Sequence, residues 1–239
     1  MSQRVFDIPL LRAAVWFEEA PEPAPPLDPF FNLSAGAPDV AYVAPLFRRR
    51  LGKLAKGMLH CAGRLCPEPM DMRVVFASRH GEMERTVSVL RDLAQGGEIS
   101  PTLFSLSVHN SVAGLWSILK ENHAPSTALA AGPESFAWGL LDAFAALQET
   151  PAQTVLYVFG DDRLPELYQP FLPAEVVPHA LALLLGGPAE RTLSLRWDPD
   201  ETGEPTSLPQ SLHFLRAMAG LAPDAPWQGR CGAWRWHVR

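Results

Sequence analysis

Residues 100–147, SPTLFSLSVHNSVAGLWSILKENHAPSTALAAGPESFAWGLLDAFAAL, decide how this chain folds. Two small-residue segments, 108–119 and 135–147, have the length and composition of buried helices, and Ala113-Gly114 in the first lets a neighbour approach closely. Between them, 127–131 reads as an inner strand.

Outward from this stretch, strand and helix signals alternate. Residues 72–77 suit a buried strand followed by a polar turn at 78–81. A helix follows over 82–93, with Val87, Leu90, Leu93 and Ala94 as its apolar stripe and Gly96-Gly97 as its end. Residues 154–159 are the clearest strand and stop at Gly160-Asp161-Asp162. Upstream, 5–17 reads as one strand or two, and the proline-rich 20–26 as an extended break. Residues 45–65 read as one amphipathic helix through Leu46, Leu51, Leu54, Met58 and Leu65. Downstream, 180–185 and 192–197 read as a hairpin around Gly186-Gly187-Pro188. A loop over 198–209, a short helix over 212–219 and an edge strand in the tryptophan-rich tail complete the expectation. The alternation predicts an α/β fold, a mixed β-sheet with flanking helices, in a single domain spanning 1–239.

Composition narrows the function. The 239 residues are 47% hydrophobic and 19% charged, enough to bury a sizeable core. A net charge of −6 argues against a nucleic-acid footprint, which should be basic. No signal segment and no apolar span long enough to cross a membrane is evident, and a cytoplasmic location is expected. Three cysteines make no disulfide framework, and Cys61 and Cys66, beside His60, lack the second pair of a zinc site; buried structural thiols are expected. Asp161, Asp162 and Glu166 lack an upstream phosphate-binding glycine loop and read as solvated turn residues rather than a metal site. No metal and no cofactor are expected. The basic cluster Arg48-Arg49-Arg50, Lys53 and Lys56 is either a solvated helix face or a patch for an acidic partner.

Ser100-Pro101, then Asn110-Ser111-Val112-Ala113-Gly114, then Ala124-Pro125-Ser126 follow one another in the order and spacing of β-ketoacyl synthases of the thiolase superfamily, and the chain resembles that family over roughly 40–160. The resemblance implies a thiolase-like half fold, with the C-terminal half of a full ketosynthase and its two histidines absent, and leaves 165–239 without a template. It puts Pro133 where the family has its catalytic cysteine, or Gly132 or Glu134 if the register slips by one. None is a thiol, and covalent acyl transfer needs a thiolate, so no catalytic residue is expected. Proline suits a first helical turn, so the helix start should survive.

More narrowly, 76–82 (FASRHGE) and 104–110 (FSLSVHN) resemble the chain length factors of aryl-polyene and other type II polyketide-type systems. That implies a heterodimer with a full-length β-ketoacyl-ACP synthase, and contact with an acyl carrier protein through the complex. Arg79, His80, Met83, Val87 and Leu90 fall in the region resembling the superfamily's tunnel gate. Thr127, Ala128, Leu129, Ala130 and Ala131 match the strand that crosses the two-fold interface, with Phe104, His109, Asn110 and Trp116 as further interface candidates; Trp116, Trp138 and Phe104 serve either interface or core. Two rival readings are a stand-alone acyl hydrolase or transferase using His109 with Cys61 or Ser135, and a structural module that only stabilises a partner.

Overall fold

Short apolar strands separated by small-residue helices assemble into one mixed sheet covered on both faces. The computed structural model describes residues 3–21, 26–150, 153–171, 176–221 and 224–239. In chain order they form β1 (Arg4–Phe17), β2 (Leu33–Ala35), α1 (Pro45–Arg48), α2 (Lys53–Leu65), β3 (Arg73–Ala77), α3 (Met83–Ala94), α4 (Pro101–Ser105), α5 (Ser111–Lys120), β4 (Ser126–Leu129), α6 (Ser135–Glu149), β5 (Val155–Asp161), β6 (His179–Leu185), β7 (Arg191–Asp198), α7 (Gln210–Met218), β8 (Trp227–Gly229) and β9 (Gly232–Val238).

The strand order is β4-β3-β5-β6-β1-β7-β9-β8, with β2 added along β1. β3 runs parallel to both β4 and β5, as strands joined by helical crossovers must. The ladders from β5 through to β8 are antiparallel. β5 and β6 are buried along their whole length, which is why they read as continuous apolar runs. One core lies under α6 and α7, around Phe136, Tyr157, Phe214, Trp234 and Trp236. The other lies under α2 and α5, around Trp16, Met58, Leu59 and Trp116. No helix among the described residues is long and apolar enough to cross a membrane.

The structure corrects several expectations. The 180–185 and 192–197 strands exist as β6 and β7 but form no hairpin, because β1 lies between them and pairs with both. Two strands with buried faces need partners on both edges, and the long β1 supplies a ladder to each. Residues 45–65 form two helices rather than one. α2 starts after Gly52, whose missing side chain leaves room for the Glu82 carboxylate, and Glu82 accepts a hydrogen bond from Ala55 N at 3.0 Å. The helix is thus capped from outside its own sequence, and Leu46 is left exposed in α1.

On α3, Val87 and Val89 are buried while Leu90, Leu93 and Ala94 lie at the surface. Residues 127–131 are not an inner strand: β4 is the sheet edge. The tail strand β9 is not an edge, since β8 covers it. Cys61 and Cys66 are buried, as expected. Of the proline-rich break, 22–25 lie outside the described residues.

Candidate functional site

Where β3 and β5 end, the chain turns into loops that meet the start of α6, and a cavity of about 430 Å³ opens there. Arg79 after β3, Asp161 at the end of β5, Gly132, Pro133 and Ser135 before and at the start of α6, and residues 205–211 leading into α7 line it. The apolar strand ends and the helix starts that surround it are the usual place for a ligand in an α/β sheet.

Pro133 lies on the cavity wall, two residues before α6 begins, because Glu134 is the N-cap and Ser135 the first helical residue. The proline therefore precedes the helix and does not form its first turn. Gly132 takes φ +60, a left-handed conformation that aligns the turn. Glu134 does not line the cavity: it accepts hydrogen bonds from Cys231 N at 2.9 Å and Trp234 Nε1 at 3.5 Å, tying the start of α6 to the β8–β9 turn. No thiol stands at 132–134. Among the described residues, no group of three or more His, Cys, Asp or Glu could hold a metal ion.

Asp161 was expected as a solvated turn residue, and the structure overturns this. It is 5% exposed and accepts hydrogen bonds from Ser78 Oγ at 3.1 Å and Arg79 N at 2.9 Å. Burial raises its pKa to about 6, against the lowering effect of these donors. Between about pH 4 and pH 6 the folded chain thus holds a proton that the unfolded chain, with a value near 3.8, has released. The group's stabilising contribution is complete below about pH 4 and declines as the pH rises to about 6, by on the order of 3 kcal/mol. Asp161→Asn removes this decline, so the difference in melting temperature between pH 4 and pH 7.5 should shrink. A variant with the parent's pH slope would show that another group titrates.

The gate candidates do not line one space. Arg79 faces the first cavity. Met83 lines a second, of about 450 Å³, between α3 and the segment 162–166. Val87 is buried and Leu90 is half exposed. His80 has a buried Nε2 without a partner, and burial together with the Arg79 charge lowers its pKa to about 4.

Of the interface candidates, Trp116 is a core residue at 2% exposure, Trp138 packs partly buried against the core, and Phe104 is exposed at 57%. Asn110 is exposed as the N-cap of α5, Thr127, Ala128, Leu129 and Ala131 are partly buried, and Ala130 is exposed. His109 Nε2 lies 3.0 Å from the Ser78 carbonyl. The pairing of His109 with Cys61 or Ser135 is not formed. Cys61 is fully buried, its thiol pushed well above the ordinary range and turned to the Ala180 carbonyl. Ser135 Oγ accepts from Ala131 N and donates to Gly132 O, within its own turn.

The β-ketoacyl synthase N-terminal domain family matches residues 21–237. The chain belongs to that family. This ketosynthase-like chain is 31% identical to a chain in the structure "Ketosynthase (ApeO) in Complex with its Chain Length Factor (ApeC) from Xenorhabdus doucetiae", with a TM-score of 0.70 over 81% of each chain. Those equal shares make the two chains similar in length. A chain of "The ishigamide ketosynthase/chain length factor" matches with a TM-score of 0.56 and 16% identity, over 77% of this chain and 59% of that one. A β-ketoacyl synthase from Burkholderia phymatum STM815 matches with a TM-score of 0.56 and 10% identity, over 92% and 71%. These last two establish the thiolase-like ketosynthase fold alone. No curated protein matches the chain.

Sequence reasoning missed the burial of Asp161 and the part played by 205–211. A signal existed for the first: Asp161 ends an unbroken buried run, where a polar side chain has no water to face. The second had none, since α7 reaches the cavity only through tertiary packing.

Proposed function

We propose that this ketosynthase-like chain is a non-condensing chain length factor that pairs with a β-ketoacyl-ACP synthase encoded beside it. The partner carries out the condensation on acyl groups held by an acyl carrier protein, and this chain completes the acyl tunnel.

The observation that carries the reading is the open edge of β4. Pro125 O and Leu129 O accept from Val74 N and Ser78 N of the β3 side. Backbone direction alternates along a strand, so Ser126 and Ala128 turn their N–H and C=O groups outward. An unpaired edge is a template for another chain's strand. Phe104, Val108 and Ile118 are 57%, 38% and 66% exposed, and α5, which carries Ile118, packs beside β4. An open strand edge with an exposed apolar side chain on the helix beside it fits a protein–protein interface. The 31% identity to a chain of a ketosynthase–chain length factor complex supports the same reading. On this reading the basic residues Arg49 and Arg50, exposed between α1 and α2, are available to an acidic carrier protein.

The test is co-purification of the tagged chain with the adjacent ketosynthase, followed by intact mass. A one-to-one heterodimer that alone makes product supports the proposal; a lone homodimer or monomer contradicts it. Within that complex, Met83→Trp should shift the product-length distribution without loss of assembly. Unchanged lengths would leave this chain as a stabilising partner only.

A further inference from the structure

We propose that Ser211 and His179 form a nucleophile–base pair on the wall of the cavity beside Pro133, able to hydrolyse acyl esters and thioesters. This goes beyond the chain-length reading, which needs no reaction from this chain.

The hydrogen-bond geometry sets the direction of proton transfer. His179 Nδ1 is 2.7 Å from the Val177 carbonyl, which can only accept, so Nδ1 carries the proton. Nε2 then holds the lone pair, and it lies 2.7 Å from Ser211 Oγ, whose hydroxyl donates to it. The ring is 1% exposed and lies against Phe17 and Phe159, with ring centroids 6.1 and 6.0 Å away. Burial lowers its pKa to about 4, which keeps it in the neutral, proton-accepting form at neutral pH. A hydroxyl, a base and a third group that orients the base are the parts of an activated serine, with a backbone carbonyl in the third place.

The surroundings supply the rest. Ser211 and its neighbour Gln210 both line the cavity. Gln210 is 2% exposed; its Oε1 accepts from Ala137 N, while its Nε2 is buried without a partner. An unpaired donor of this kind, on a residue that lines the same cavity as the nucleophile, is suited to hold the developing oxyanion. Phe159, Phe171, Val176, Leu208 and Trp227 give the same cavity apolar walls for an acyl chain.

In the first step Ser211 Oγ bonds to the carbonyl carbon as its proton passes to His179 Nε2. The carbon–sulfur or carbon–oxygen bond then breaks, and the leaving thiol or alcohol takes that proton. Water next attacks the acyl-serine, giving one proton to His179. Collapse frees the carboxylic acid, and the proton returns to Ser211.

The test uses the full chain with a fluorophosphonate probe, followed by peptide mapping, and with p-nitrophenyl butyrate. The expected result is a single adduct on Ser211 and hydrolysis that falls by on the order of 10²–10⁴-fold in Ser211→Ala. The variant's melting temperature serves as the folding control. Labelling of the unmodified chain needs no variant, so it decides the matter even if Ser211→Ala misfolds. No adduct on Ser211, or hydrolysis retained in a folded Ser211→Ala, overturns the proposal.

Discussion

Ala128→Pro should leave the isolated chain folded and weaken its complex with the adjacent ketosynthase by at least about 100-fold, or about 2.7 kcal/mol. Ala128 sits in the edge strand β4 with its N–H turned outward, as the Pro125 and Leu129 carbonyl bonds to β3 require. Proline is tolerated at such an edge position, because the missing N–H faces away from the sheet. Across a pairing interface the same change removes a donor and puts a ring in the gap between strands. Each lost hydrogen bond contributes about 1 kcal/mol, and the steric misfit adds to it. Titration of labelled chain against the ketosynthase, with circular dichroism as a folding control, measures it. A folded Ala128→Pro chain that binds like the parent would move the interface away from β4.

Gly139→Val should destabilise the fold by about 3 kcal/mol, seen as a fall in melting temperature of roughly 10 °C. Gly139 is the point where α6 rests on the sheet. A Cβ there would lie 2.8 Å from Ala77 Cβ and 2.8 Å from Tyr157 Cε2. Both neighbours belong to buried strands, and Tyr157 is held by a 2.7 Å hydrogen bond from its hydroxyl to the Phe136 carbonyl. Neither can give way, so the helix must lift. Because α6 begins at Ser135, directly after Pro133 on the cavity wall and the N-cap Glu134, the lift would open the cavity. A melting curve unchanged in Gly139→Val would mean that α6 repacks freely.

How much was legible depended on the distance over which each feature is determined. The strands at 72–77 and 154–159 and the helix at 135–147 were readable because their burial is written in local composition. The family resemblance was readable from 76–82 and from 100–126, and it placed Pro133 at what proved to be a cavity wall. The split of 45–65 into two helices was not readable, since the cap on α2 comes from Glu82, 27 positions beyond Ala55. The α3 stripe misled for a similar reason. Leu90 and Leu93 repeat like core positions, yet no layer covers that side of the described chain. The false hairpin arose because turn chemistry at 186–188 reports a reversal of the chain but not which strand lies beside it.

The amino-acid sequence by itself determined the α/β class, most of the elements, the ketosynthase kinship and the lack of a thiol at 132–134. These rest on side-chain periodicity, chain punctuation and residue identity, all local properties. Only the tertiary structure decided that β1 separates β6 from β7, that β4 is an open edge, that Asp161 is buried, and that Ser211 meets His179. Each of these depends on groups far apart in sequence sharing one volume, and strand order and burial emerge only when the whole sheet closes over its two cores.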